Sequence, residues 1–163
     1  MARRTSAKDQ VSAYDKALGL LARREHSARE LKAKLARRGL DAGESDAALE
    51  KLKAKDYQSD DRFGEMLVRS RIEGGYGPRW ILAELRTHGI DEASARALLD
   101  DAAVDWPAQV RRQLRRRYGG KGATTLAERA KRATFLLRRG FDAATVQSIT
   151  RAEGLDESTD ESD

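Results

Sequence analysis

The chain has 163 residues, 36 % of them charged and only 6 % aromatic, with a formal net charge of +5 and a mean hydropathy of −0.73. That length allows one compact domain or a short array of small ones, and so thin an apolar supply suits small helical units better than a thick α/β core. There is no cysteine, which excludes disulfides, thiolate zinc sites and a catalytic thiol and fits a reducing cytoplasm; the longest apolar run, Trp80–Ala83, is too short for a membrane span or a signal-peptide core.

In chain order, the first predicted helix carries Tyr14, Ala17, Leu18 and Leu21 at i, i+3, i+4, i+7. Ser27 with Glu30 is a capping box that starts a second helix, whose apolar face is Leu31 and Leu35. Gly39 ends it, Leu40 follows, and Asp41 caps a third helix carrying Leu49 and Leu52. The order then recurs. Phe63, Met66 and Leu67 mark a helix, Gly77-Pro78 starts the next with Ile81 and Leu85 on one face, and Gly89-Ile90-Asp91 leads into Leu98 and Leu99. A third round has Trp106, Val110, Leu114 and Tyr118, a capping box at Thr125 and Glu128, Leu136 before Gly140-Phe141-Asp142, and then Val146 and Ile149.

The three glycines lie 50 and 51 residues apart. Each stands where a helix ends in the left-handed conformation, with leucine at C3 and an apolar C″ residue to close a Schellman motif. The pattern predicts an all-α protein of three tandem three-helix repeats forming an elongated, curved array. The predicted boundaries are a flexible N-terminus over 1–10, repeats over 11–57, 58–104 and 105–154, and an acidic disordered tail over 155–163. The Gly119–Thr124 stretch of the third repeat reads as a mobile loop.

Charge is uneven. Ala108–Gly140 holds eleven bases against one acid, whereas residues 1–107 hold 20 bases and 19 acids and the last eleven residues hold six acids and no base. Interspersed charge is a solvated surface, but a basic block without acids points to a polyanion or an acidic protein. The candidate contact residues are Arg111, Arg112, Arg115, Arg116, Lys121, Arg138 and Arg139; Arg111/Arg115 and Arg112/Arg116 are i, i+4 pairs beside the Val110–Leu114–Tyr118 stripe. The acidic tail is a candidate internal competitor for that block.

Catalytic chemistry is not indicated. His26 and His88 read as solvated helix-end residues, the Gly74–Gly77 cluster lacks the preceding strand of a phosphate cradle, and Asp60-Asp61 and Asp100-Asp101 lack companion metal ligands. No catalytic, metal or cofactor site is assigned.

The stretch Ala17–Leu35 resembles the first repeat of RecX proteins, bacterial modulators of the RecA recombinase. The second repeat is closer still. Asp60, Asp61 and Phe63, then Val68 and Arg71, then Gly77, Pro78, Ile81, Glu84, Leu85, Gly89 and Ile90 follow the family's order, with Gly64 at its usual alanine. The third repeat resembles the family through length, basicity and Leu136…Gly140-Phe141. The chain is expected to be a monomer. The resemblance implies tandem three-helix repeats. It implies that the partner is the RecA–single-stranded DNA filament, bound in its groove, with inhibition of extension and strand exchange and damping of the SOS response. It implies no cofactor and no membrane, and leaves direct contact with single-stranded DNA open. A helix-turn-helix-like protein acting on DNA without RecA is the alternative. Against it, the helices after Asp91 and Asp142 lack the row of Arg, Asn and Gln expected of a recognition helix.

Overall fold

The computed structural model describes residues 11–153. Among them are nine helices and no strand: α1 Ala13–Leu21, α2 Ala28–Arg37, α3 Ala42–Ala54, α4 Asp60–Glu73, α5 Pro78–Thr87, α6 Glu92–Asp101, α7 Trp106–Tyr118, α8 Leu126–Arg138 and α9 Ala143–Ala152. The protein is therefore all-α, built from tandem three-helix repeats. It forms two compact units divided within α4, at Gly64.

The repeated turn is a Schellman motif at all three positions. Gly39, Gly89 and Gly140 have φ of +76°, +79° and +87°. The N–H groups of Leu40, Ile90 and Phe141 bond to the carbonyls of Leu35, Leu85 and Leu136 at 3.2, 3.2 and 3.3 Å. Asp41, Asp91 and Asp142 then cap α3, α6 and α9. Asp56 and Ala103 also take positive φ, after α3 and α6, and at the first of these turns the Tyr57 N–H closes the same motif on Leu52 O at 2.9 Å.

In the first unit, Ala13, Ala17, Leu31, Leu35, Ala48, Leu49 and Leu52 form the core. Asp60 does more than start α4. Its Oδ1 accepts the Ala28 N–H at 2.9 Å, adding a cap to α2 from 32 residues away, while Ser59 caps α4 through the Arg62 N–H. His26 departs from the solvated reading. It is buried, with Nδ1 3.1 Å from Glu30 Oε1, and burial lowers its pKa. Burial alone would raise Glu30, but hydrogen bonding to Arg24 and the neighbouring His26 pull it below the usual carboxylate range.

In the second unit, Val110, Leu114, Leu136, Phe141, Val146 and Ile149 form the core of the α7–α9 repeat. The α4–α5 turn is joined to the α8–α9 turn backbone to backbone. α5 begins at Gly77, which has no side chain to cap it, and the missing partners come from the other repeat. Gly77 N–H donates to Arg139 O at 2.7 Å and Arg79 N–H to Gly140 O at 3.0 Å. A Cβ on Gly77 would meet the Gly140 carbonyl at 2.4 Å, and one on Gly140 would meet Trp80 N at 2.4 Å. The glycines thus permit a close approach of two turns.

Candidate interaction surface

α7 is held by Asp105, whose side chain accepts the Ala108 N–H, and by Pro107 in its first turn; it ends at Gly119 in the left-handed region. Val110, Gln113 and Leu114 are buried. Arg111, Arg112, Arg115 and Arg116 are all exposed, and among the described residues none of them pairs with a carboxylate. Helical geometry sets the two i, i+4 pairs about 100° apart around the axis. Arg111 and Arg115 edge a shallow groove of about 330 Å³ with Gly120, Ser148, Ile149, Ala152 and Glu153. Arg112 and Arg116 lie further round, away from the core. Such a face presents fixed positive charge with five donors per guanidinium.

Three residues of the basic block are used internally. Arg139 is half-buried: Nη1 donates to Gly74 O at 2.9 Å, and the guanidinium lies 5.0 Å from the Tyr76 ring centroid and 5.4 Å from that of Phe135. Arg117 lies 4.5 Å over Phe135. Arg132 is buried, 4.4 Å over Tyr118, and donates to Lys121 O at 2.7 Å, to Gly122 O at 3.2 Å and to Glu153 at 3.2 Å. The Gly119–Thr124 stretch, expected to be mobile, is therefore tied down. Arg132 holds two of its carbonyls, Ala123 is buried, and Glu128 Oε2 accepts the Thr124 N–H at 2.8 Å. Lys121 and Arg138 are exposed but belong to the loop and to the end of α8, not to the α7 face.

Sequence reasoning missed Arg132. Its signal lay in the period: Arg129, Arg132, Ala133 and Leu136 are spaced i, i+3, i+4, i+7 on the inner face of α8. It also missed Tyr76 and Trp80, which stack with centroids 5.0 Å apart. Among the described residues no group of three or more His, Asp or Glu could hold a metal, and no helix is long and apolar enough to cross a membrane.

Three family models match in chain order: RecX, first three-helix domain, over residues 13–58; RecX, second three-helix domain, over 59–99; and RecX, third three-helix domain, over 105–150. A protein named Regulatory protein RecX from Stenotrophomonas maltophilia (strain K279a) is 46 % identical over 136 residues, 83 % of each chain. Another of that name from Xanthomonas axonopodis pv. citri (strain 306) is 44 % identical over 136 residues, covering 83 % of this chain and 84 % of the relative. The crystal structure of RecX from Lactobacillus salivarius superposes with a TM-score of 0.69 at 23 % identity, over 88 % of this chain and 95 % of that one.

Proposed function

This chain belongs to the RecX family, and on that premise we propose that it binds the RecA–single-stranded DNA filament in its groove and inhibits filament extension and recombinase activity. It thereby damps recombination and the SOS response in the cytoplasm, as a monomer and without catalysis of its own. One observation carries the reading at residue level: the four exposed α7 arginines face solvent with no carboxylate partner among the described residues. Structural arginines in this chain have found partners, as Arg71 has with Glu84 and Arg62 with Glu25 and Asp56. A cationic face left open is suited to acidic protein edges or phosphates, which guanidinium forks meet bidentately. Lys121, two residues past the C-cap of α7, extends the contact at its edge.

The test is titration of the Arg112→Glu, Arg116→Glu double variant against RecA filaments, reading DNA-dependent ATP hydrolysis and strand exchange, with bare DNA as the control. Opposed charge at such an interface costs several kcal/mol, so half-inhibition should need on the order of tenfold more protein or beyond. Helix content should not change, because both side chains lie outside the core. Full inhibition by the double variant would move the contact off α7. Tight binding to bare duplex DNA, with no effect on RecA, would favour the helix-turn-helix-like alternative.

A further inference from the structure

α5 carries a large aromatic side chain out of the core. Its buried face is Ile81 and Leu85, and Trp80 lies one residue off that face. Trp80 keeps 44 % of its surface exposed even though Tyr76 stacks against it, with the ring planes 27° apart. Burying the remaining ring face would gain hydrophobic free energy that the fold leaves unused.

The ring is held in place from several sides. The Arg139 guanidinium lies over Tyr76, which in turn supports Trp80. The backbone beneath is bonded to the α8–α9 turn through Gly77 and Arg79. Glu84 follows Trp80 one helical turn on. Glu84 is in turn clamped by Arg71, with Nε and Nη2 each 2.6 Å from one of its oxygens. An exposed aromatic fixed this way loses little freedom when a flat partner lands on it.

Charge narrows the partner. Arg79, next to Trp80 in the chain, is exposed, and so is Arg138, two residues before the glycine that abuts Trp80. The carboxylate nearest along the helix, Glu84, is already neutralised by Arg71. Trp80 therefore offers an exposed π-face with Arg79 beside it in the chain and Arg138 near the adjoining turn, neither paired with a carboxylate among the described residues. That is the chemistry of a stacking platform for an unpaired nucleobase, with the cations meeting the adjoining phosphates.

We propose that Trp80, supported by Tyr76, is a nucleobase-stacking site for single-stranded nucleic acid, separate from the α7 arginine face. It does not depend on contact with RecA. The test uses the full-length chain without any recombinase. A labelled single-stranded dT oligonucleotide and an abasic strand of equal length are titrated at low salt, by anisotropy and by indole fluorescence. The parent should bind the dT strand about tenfold more tightly than the abasic strand, the loss of one stacked base. Trp80→Ala should erase that preference while keeping the abasic affinity, and Trp80→Phe should keep part of it. Base-dependent quenching of the indole signal should vanish in Trp80→Phe, which leaves Trp106 as the reporter. Equal binding of the two strands by the parent, or no binding of the dT strand, overturns the site, as does a preference that survives Trp80→Ala with native helix content. If the parent shows no base preference and Trp80→Ala weakens inhibition of RecA filaments, the platform reads a protein surface and the proposal is wrong. Loss of filament inhibition in the α7 variant alone would leave this result standing.

Discussion

Gly39 and Gly140 occupy the same place in their repeats and have nearly the same backbone, yet their surroundings differ. A Cβ on Gly39 would meet nothing within 4 Å, whereas one on Gly140 would meet Trp80 N at 2.4 Å and its Cβ at 2.6 Å. Both positions require the left-handed conformation, so alanine at either should cost about 1–2 kcal/mol of backbone strain. At Gly140 the strain is joined by a backbone clash that α5 must move to relieve. Urea denaturation of the two alanine variants should show the larger loss for Gly140→Ala, with disturbed Trp80 fluorescence in that variant alone. Equal losses would mean that the two turns part without cost. The sequence could mark Gly140 as a helix end, because that signal is local. It could not mark it as a contact with Gly77, because a close approach leaves no trace in periodicity. Gly74–Gly77 was accordingly legible only as a glycine cluster and, at Gly77-Pro78, a helix start. The left-handed Asp56 and Ala103 were invisible for the opposite reason: alanine is disfavoured there, and aspartate, though it tolerates the conformation better than most residues, occurs far more often elsewhere.

At the scale of elements, the repeats were legible because each helix start and stop is written in neighbouring residues: caps, glycines and a 3.6-residue period. The placement of the α7 arginines followed from the same period. What the sequence concealed was which bases are consumed by the fold. Arg132 and Arg139 count toward the same cationic block as Arg112, yet the first is buried against Tyr118 and the second closes the turn-to-turn contact. Charge counting cannot separate these cases, because partners such as Gly74 O lie 65 residues away. Arg132 also provides a prediction. Arg132→Met keeps much of the side chain's volume but loses hydrogen bonds to two loop carbonyls and to Glu153. Hydrogen bonds from charged groups are worth roughly 1.5–3 kcal/mol each, and the exposed carbonyls regain part of that from water. The variant should lose about 2 kcal/mol of stability, and amide exchange at Ala123 and Thr124 should quicken. Glu153→Gln, which removes only the ion-pair charge at a partly exposed carboxylate, should cost under about 1 kcal/mol. Unchanged exchange in Arg132→Met would show that the buried Ala123, rather than the guanidinium, holds the loop.

At the scale of the whole chain, the formal charge of +5 conceals an opposition between a basic α7–α8 segment and an acidic C-terminus. Residues 154–163 carry five acids and no base and lie outside the described residues. The acid before them, Glu153, pairs with Arg132 and edges the groove that Arg111 and Arg115 overhang. The chain continues from the border of the cationic face, so tail acids that compete for it would act at high effective concentration. Deleting residues 154–163 while keeping Glu153 should tighten binding to bare single-stranded DNA at low salt, with a smaller change in RecA filament inhibition. Salt supplies the second axis. If all four α7 arginines meet phosphates, the logarithm of affinity for single strands should fall against log salt with a slope of about −3, at roughly −0.7 per contact. If the face meets mainly protein, filament binding should show a shallower slope, because only a few surface pairs are screened. Competing tail acids would reduce the parent's apparent affinity most at low salt, so the curves for the parent and the truncated chain should converge as salt rises. Superimposable DNA titrations for both chains across the salt series would rule out competition by the tail. The five acids would then serve only to lower the net charge of a strongly basic protein.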